Sequence, residues 1–255
     1  NAQDIEVSDP NNNFKISGDT VSALVGIEHI DNQWSVGVAD LFIEFGEESL
    51  GIKQSHILYS ESEILAIASS IEIEPLLHFL DLNLYMHMPD QIRRVLRDSK
   101  PSGNLRNLII QTAETADNEA FWRSEMEFDE LTVRSWNESP AIANISGSLQ
   151  VSPKGISVVT DSEDLLIWFP KIYESPLLYE SLKARAYITW DNEKVYVTSR
   201  DFAAIGPEGL LVGDFDMDIS DLGGSPETNL DLEIGIENTD LAYLEKYLPA
   251  TLPES

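Results

Sequence analysis

Apolar and polar residues alternate with a period of two along most of this chain. Phe215, Met217 and Ile219 alternate with Asp214, Asp216 and Asp218; Leu182, Ala184, Ala186 and Ile188 alternate with Lys183, Arg185, Tyr187 and Thr189. Such a period gives a strand one apolar and one polar face. Strands are predicted over 14–16, 21–30, 34–45, 50–59 and 64–73. A longer set follows at 105–112, 121–136, 141–151, 156–160, 165–172, 182–190, 194–199, 210–219 and 230–236. Gly18-Asp19, Asp31-Asn32 and Gly46-Glu47-Glu48-Ser49 punctuate the first strands as turns, and Asp191-Asn192-Glu193 reads as a tight hairpin.

Twice an alternating strand runs into a helical spacing without a turn. Ser70 to Glu74 leads into Pro75-Leu76-Leu77-His78-Phe79-Leu80. Leu230 to Glu237 leads into a segment whose Leu241, Leu244 and Leu248 would form one stripe. Helices are predicted at 75–82 and 240–248, their stripes laid back on the sheet. A third is predicted at 89–100, with Pro89 and Asp90 suited to its first turn and Arg97 and Lys100 to its last. Pro101 and Gly103 stop it.

These elements predict a mainly β chain built on one continuous antiparallel sheet with a few short helices across it. The linker-like 221–226 stretch is too short to part independent domains. Alternation does not separate a closed sandwich from an open apolar groove, and by itself it favours the sandwich. The 255 residues, 42% hydrophobic, are enough for a substantial core. No apolar run exceeds five residues (64–68 and 165–169), against the ~20 of a membrane-spanning helix.

Charge narrows the function. With 45 Asp and Glu against 16 Lys and Arg, the net charge is −29, which argues against a nucleic-acid face. The acids are scattered along strands, as a solvated surface requires. Absence of cysteine excludes disulfides, thiolate metal sites and cysteine nucleophiles.

Chemical motifs are thin. Asp214-x-Asp216-x-Asp218 opens like a calcium loop, but Ile219 stands where the turn needs glycine and no Glu closes it, so an acidic strand face is the better reading. His29, His56, His78 and His87 have no metal-site spacing. No carboxylate pair stands out for glycoside hydrolysis, and no nucleophile elbow, phosphate loop or dinucleotide fingerprint is present. Arg93, Arg94, Arg97, Lys100 and Arg106 cluster; a headgroup-facing patch is one reading, a solvated helix face paired with nearby acids the favoured one.

The stretch from Leu166-Ile167-Trp168-Phe169-Pro170-Lys171-Ile172-Tyr173 to Glu174-Ser175-Pro176-Leu177-Leu178-Tyr179-Glu180-Ser181-Leu182 resembles a recurrent segment of the YhdP family of AsmA-like bacterial proteins. Ser102-Gly103-Asn104-Leu105-Arg106-Asn107-Leu108 and Leu244-Glu245-Lys246-Tyr247-Leu248-Pro249 are similar to its pattern too, so the likeness spans roughly residues 90 to 250. The resemblance implies a periplasmic segment, residues 1–255, of a longer protein anchored in the inner membrane of a Gram-negative bacterium, with possible sub-repeats at 1–100 and 101–255. It implies a long twisted sheet forming an open groove that shields phospholipid acyl chains between inner and outer membrane. No catalytic residue, metal or cofactor comes with it. On this reading Leu182, Ala184, Ile188, Phe215, Met217, Ile219, Leu230, Leu232, Ile234 and Ile236 line the groove. The alternatives are a β-sandwich binding or adhesion module for a glycan or protein, and, less favoured, an acidic hydrolase.

Overall fold

A computed structural model describes residues 2–9, 14–30, 32–60, 63–83, 96–114, 120–136, 139–171, 173–191, 194–207, 209–220 and 227–237. The chain packs as two compact units, residues 1–93 with 102–127, and 94–101 with 128–255. The first unit contains β1 (Ala2–Asp9), β2 (Phe14–Ile30), β3 (Gln33–Phe45), β4 (Glu48–Tyr59), β5 (Glu63–Glu72), α1 (Ile73–Asn83) and β6 (Ser102–Glu114). β7 (Ala120–Val133) takes residues from both units. The second contains β8 (Ala141–Ser152), β9 (Gly155–Trp168), β10 (Leu177–Trp190), β11 (Lys194–Gly206), β12 (Gly209–Ser220) and β13 (Glu227–Glu237). The fold is mainly β.

Among the described residues, β1 to β6 pair antiparallel in chain order, and so do β8 to β13. Each unit is thus, among the described residues, a single open sheet whose first and last strands are not paired, not the two facing sheets of a sandwich. Other expectations also need correction. β1 was not anticipated. Segments 14–16 and 21–30 are one strand, β2: pairing with β1 over Phe14 to Val21 and with β3 from Thr20 onward carries the backbone through, and the Asp19 carboxylate accepts a bond from the Gly46 N–H (2.8 Å) where a turn was expected. Segment 156–160 and the start of 165–172 likewise fuse into β9, which stops at Trp168, short of the expected end. The predicted strand over 64–73 gives way at Ile73 to α1, two residues earlier than expected. Of the helix predicted over 89–100, residues 96–99 are helical and 89–95 lie outside the described residues, as does the whole of 240–248.

Local departures from ideal alternation explain the fused strands. Asp40, Asn107, Asn144, Asp164 and Asp201 have φ of 50°, 51°, 62°, 53° and 59°. Asn and Asp tolerate this left-handed region better than most residues. The register slips beside several of them, between Ser22 and Leu24, Ala143 and Gly147, and Ser199 and Phe202. At such bulges alternation resets, so apolar positions of opposite parity can share a face. The freed backbone groups find side-chain partners, as buried groups must. Fully buried Ser162 Oγ accepts from Ser146 N (2.9 Å) and donates to Ser146 O (3.0 Å), while Asn144 Nδ2 donates to the carbonyls of Glu163 and Asp164 (3.0 and 3.2 Å).

Each unit has its own core. In the first, Ile43, Phe45, Leu50, Ala68 and Ile71 of the sheet enclose Phe79 of α1, with Leu76 packed beside them. In the second, Leu165, Leu177, Tyr179, Ala204 and Leu211 form the cluster, against which Ile142, Ile145, Ile167, Tyr173 and Leu182 pack.

Candidate functional site

The second unit carries an apolar face that is closed at one end and open along the rest. Register sets Ile188 opposite Val197, Val197 opposite Met217, and Met217 opposite Leu230. Ala186, Ser199, Phe215 and Leu232 form the next row, and Leu182, Ala204, Leu211 and Ile236 another. Directly opposed residues of antiparallel strands share a face. Ile219 joins through Val195, Ile234 through Gly213, and Ala184 by alternation within β10. All ten residues picked from the sequence therefore stand on one face of β10, β12 and β13.

Exposure grades across this face. Leu211 and Ala204 are buried, Leu182, Phe215, Met217 and Ile219 half-buried, and Leu230, Leu232, Ile234 and Ile236 are 48, 44, 41 and 37% exposed. Gly213 sits where the chains approach closely: a Cβ there would lie 2.0 Å from the Glu233 carbonyl oxygen and 3.1 Å from the ring of Phe202. Sequence reasoning placed a strand at 194–199, joining these elements, but chose none of its residues for the face. In β11 the inward positions are Val195, Val197 and Ser199, then, past the bulge at Arg200-Asp201, Phe202 and Ala204. That one-residue shift in parity, three steps of β11 against two of β12, was the available signal. Ser199, fully buried, donates to the Arg185 carbonyl (3.0 Å) across it.

The first unit repeats the pattern, and no residue of it was chosen from the sequence. Register aligns Val25, Val38, Ser55, Ala68 and Leu108 in one row, Ile27, Val36, Ile57, Ala66 and Ile110 in the next, and Trp34, Tyr59, Ile64 and Thr112 in a third. Ala68 and Leu108 belong to the α1 core, which fixes the face. Away from α1 the side chains open to solvent: Ala68 is 8% exposed, Ile57 39%, Ile27 62%. Exposed aliphatics scattered singly are ordinary, but contiguous rows of them mark a surface built to meet something apolar.

The polar face of the second unit holds its charges. Arg200 Nη2 donates to both oxygens of Asp216 (2.9 and 2.7 Å), Thr198 adds a bond (2.9 Å), and Lys194 Nζ meets Asp218 at 2.8 Å. The bonds from Arg200 and Thr198 hold the Asp216 carboxyl below the usual aspartate range. Those from Lys194 and Asn229 do the same for Asp218, and Asp218 in turn raises Lys194. Asp214 accepts from Asp201 N (2.9 Å). The calcium-like triplet is thus spread along an extended strand, its carboxylates engaged with cations, a hydroxyl and backbone. His78 pairs with Glu48 (2.8 Å), His56 bonds Ser35 Oγ (2.9 Å), and His29 lies against Trp34; His87 is outside the described residues. Of the basic cluster, Arg97 pairs with Asp98 (3.0 Å), and Arg93 and Arg94 lie outside the described residues.

What this arrangement offers is therefore apolar contact on one face and ionic solubility on the other. The family model described as YhdP protein matches residues 4–255. No curated protein and no solved structure matches the chain.

Proposed function

Because the chain belongs to the YhdP family and each of its units leaves rows of aliphatic side chains open on one face of a sheet, we propose that it shelters phospholipid acyl chains in transit. On this reading the protein is a periplasmic segment of a parent anchored in the inner membrane, and lipid moves along it between inner and outer membrane. It acts by binding, without catalysis.

The graded apolar face is the observation that carries this reading. An acyl chain crossing water loses about 0.8 kcal/mol per exposed methylene, so two chains would face a barrier well above 10 kcal/mol. Transfer from a bilayer to Ile57, Ile110, Phe215 or Leu232 replaces one hydrocarbon surface by another at little cost. Such a surface shields lipid without gripping it, and no polar pocket is needed. A binding module for glycan or protein would instead place hydrogen-bonding groups on the recognition face, whereas here the cations and carboxylates of the second unit lie on the opposite one.

The test uses a photoactivatable residue placed in the full-length parent in cells. Position Ile234 should capture phospholipid, and Glu233, one residue away on the other face, should not. Organic extracts of the purified chain should contain phospholipid by mass spectrometry. Ile234→Asp should reduce lipid transfer sharply while leaving the sheet folded. Capture at neither position, with lipid-free extracts, overturns the reading.

A further inference from the structure

We propose that α1 is a length stop: Phe79, with Leu76 beside it, sets how long an acyl chain the first unit takes. This rests on the acyl-chain reading above and adds specificity to it. α1 lies across the apolar face at the β3–β4 hairpin end, where Phe79 is packed among Ile43, Phe45 and Leu50, its ring 5.6 Å from that of Phe45. An eleven-residue helix has little stability of its own. It persists because Leu76 and Phe79 are packed and because His78 pairs with Glu48 at 2.8 Å. The stop is therefore a fixed part of the core.

What α1 leaves open has a definite length. The rows run from Ala68 at the edge of the core to Ile64 at the far end of β5. Four residues of strand span about 14 Å. Half of a bilayer's hydrocarbon core is about 15 Å deep. A chain lying along the strands with its end against Phe79 is thus covered over one leaflet's depth. Each methylene beyond that length stays in water, a disfavour of about fourfold per methylene.

The experiment loads the whole chain from vesicles holding equimolar saturated phosphatidylcholines, from dimyristoyl to dibehenoyl, and reads the captured distribution by native mass spectrometry. The wild-type chain should enrich the middle of the series. Phe79→Ala should shift capture toward the longest members, and Leu76→Trp toward the shortest. Leu24→Ala, on the opposite face, should leave the distribution unchanged. If Phe79→Ala does not fold, as circular dichroism will show, Phe79→Leu carries the same test with a smaller shift. Capture without length preference, or a distribution unmoved in a folded Phe79 variant, overturns the stop and leaves the acyl-chain reading standing. No capture of any member by the wild type overturns both.

Discussion

The two units close one end of an apolar face with different parts. In the first, α1 carries Leu76 and Phe79 over the sheet and satisfies its own backbone by being helical. In the second, the irregular segment between β9 and β10 delivers Tyr173 to the same kind of place. That segment borrows its bonds: Trp168 Nε1 donates to the Tyr173 carbonyl (3.2 Å), Tyr173 N donates to Phe169 O (2.9 Å), and the rings of Phe169 and Tyr173 meet edge to face. Burial raises the pKa of the Tyr173 hydroxyl. What the units share is the requirement, a large apolar side chain over the last rows with its backbone satisfied. The element that meets it is interchangeable.

The contrast between closed and open ends is tested most strongly by a charge. Leu165→Asp, at a fully buried position, should remove several kcal/mol and unfold the second unit. Ile234→Asp, on the open part of the same face, should cost about 1 kcal/mol or less. Urea unfolding followed by circular dichroism compares the two directly; equal losses would mean that the face is closed throughout. Next in size is the closing residue itself. Phe79→Ala should cost about 3–4 kcal/mol, because the ring is enclosed and the helix depends on it. Tyr173→Ala, partly exposed, should cost about half as much.

Glycines sharpen the comparison further. In the second unit, Cβ atoms at Gly147 and Gly213 would lie 2.1 and 2.0 Å from backbone oxygens. Gly213→Ala should therefore destabilise by about 1–3 kcal/mol. At Gly26 and Gly37 of the first unit a Cβ meets nothing within 4 Å. Gly37→Val should leave stability unchanged or raise it by up to about 1 kcal/mol, since valine suits a strand better. Thermal melting of the two variants decides whether the tighter sheet is the second.

The sequence revealed the class of fold and most strands because alternation survives wherever a strand is regular. It also revealed a join of strand to helix, set two residues late at Pro75 instead of Ile73, where period two becomes period 3.6. It misled at bulges. A left-handed Asp164 inside β9 resembles a strand end, and Gly18-Asp19 resembles a turn, yet both lie within continuous strands. Only pairing with a neighbour shows that the backbone continues, and pairing is not written in one segment. That the chosen residues of β10, β12 and β13 share one face was legible for the same reason, and the matching positions of β11 were not, because Arg200-Asp201 shifts the parity midway. The first unit's face was overlooked because Trp34, Val36 and Val38 change parity at Asp40 before Leu41 and Ile43.

The smallest expected effect concerns the polar face, and its sign follows from the ion pairs. Asp216 and Asp218 have folded values below the ordinary one, so their contribution to stability is present above about pH 4 and is lost as pH falls through the lower folded values. Lys194 is raised, so its contribution is present below its ordinary value and is lost only as pH rises past it, above about pH 10. Asp216→Asn should therefore lower the melting temperature by a small amount between pH 5 and 9, a gap that closes on acidification to about pH 2. Salt separates this local attraction from the global repulsion of a chain with net charge −29. Raising sodium chloride to about 0.5 M should increase the melting temperature of the wild type while narrowing its gap to the variant, because screening weakens both the repulsion and the pair. A gap unchanged in acid would show that Asp216 acts through packing or its bond from Thr198 rather than through charge.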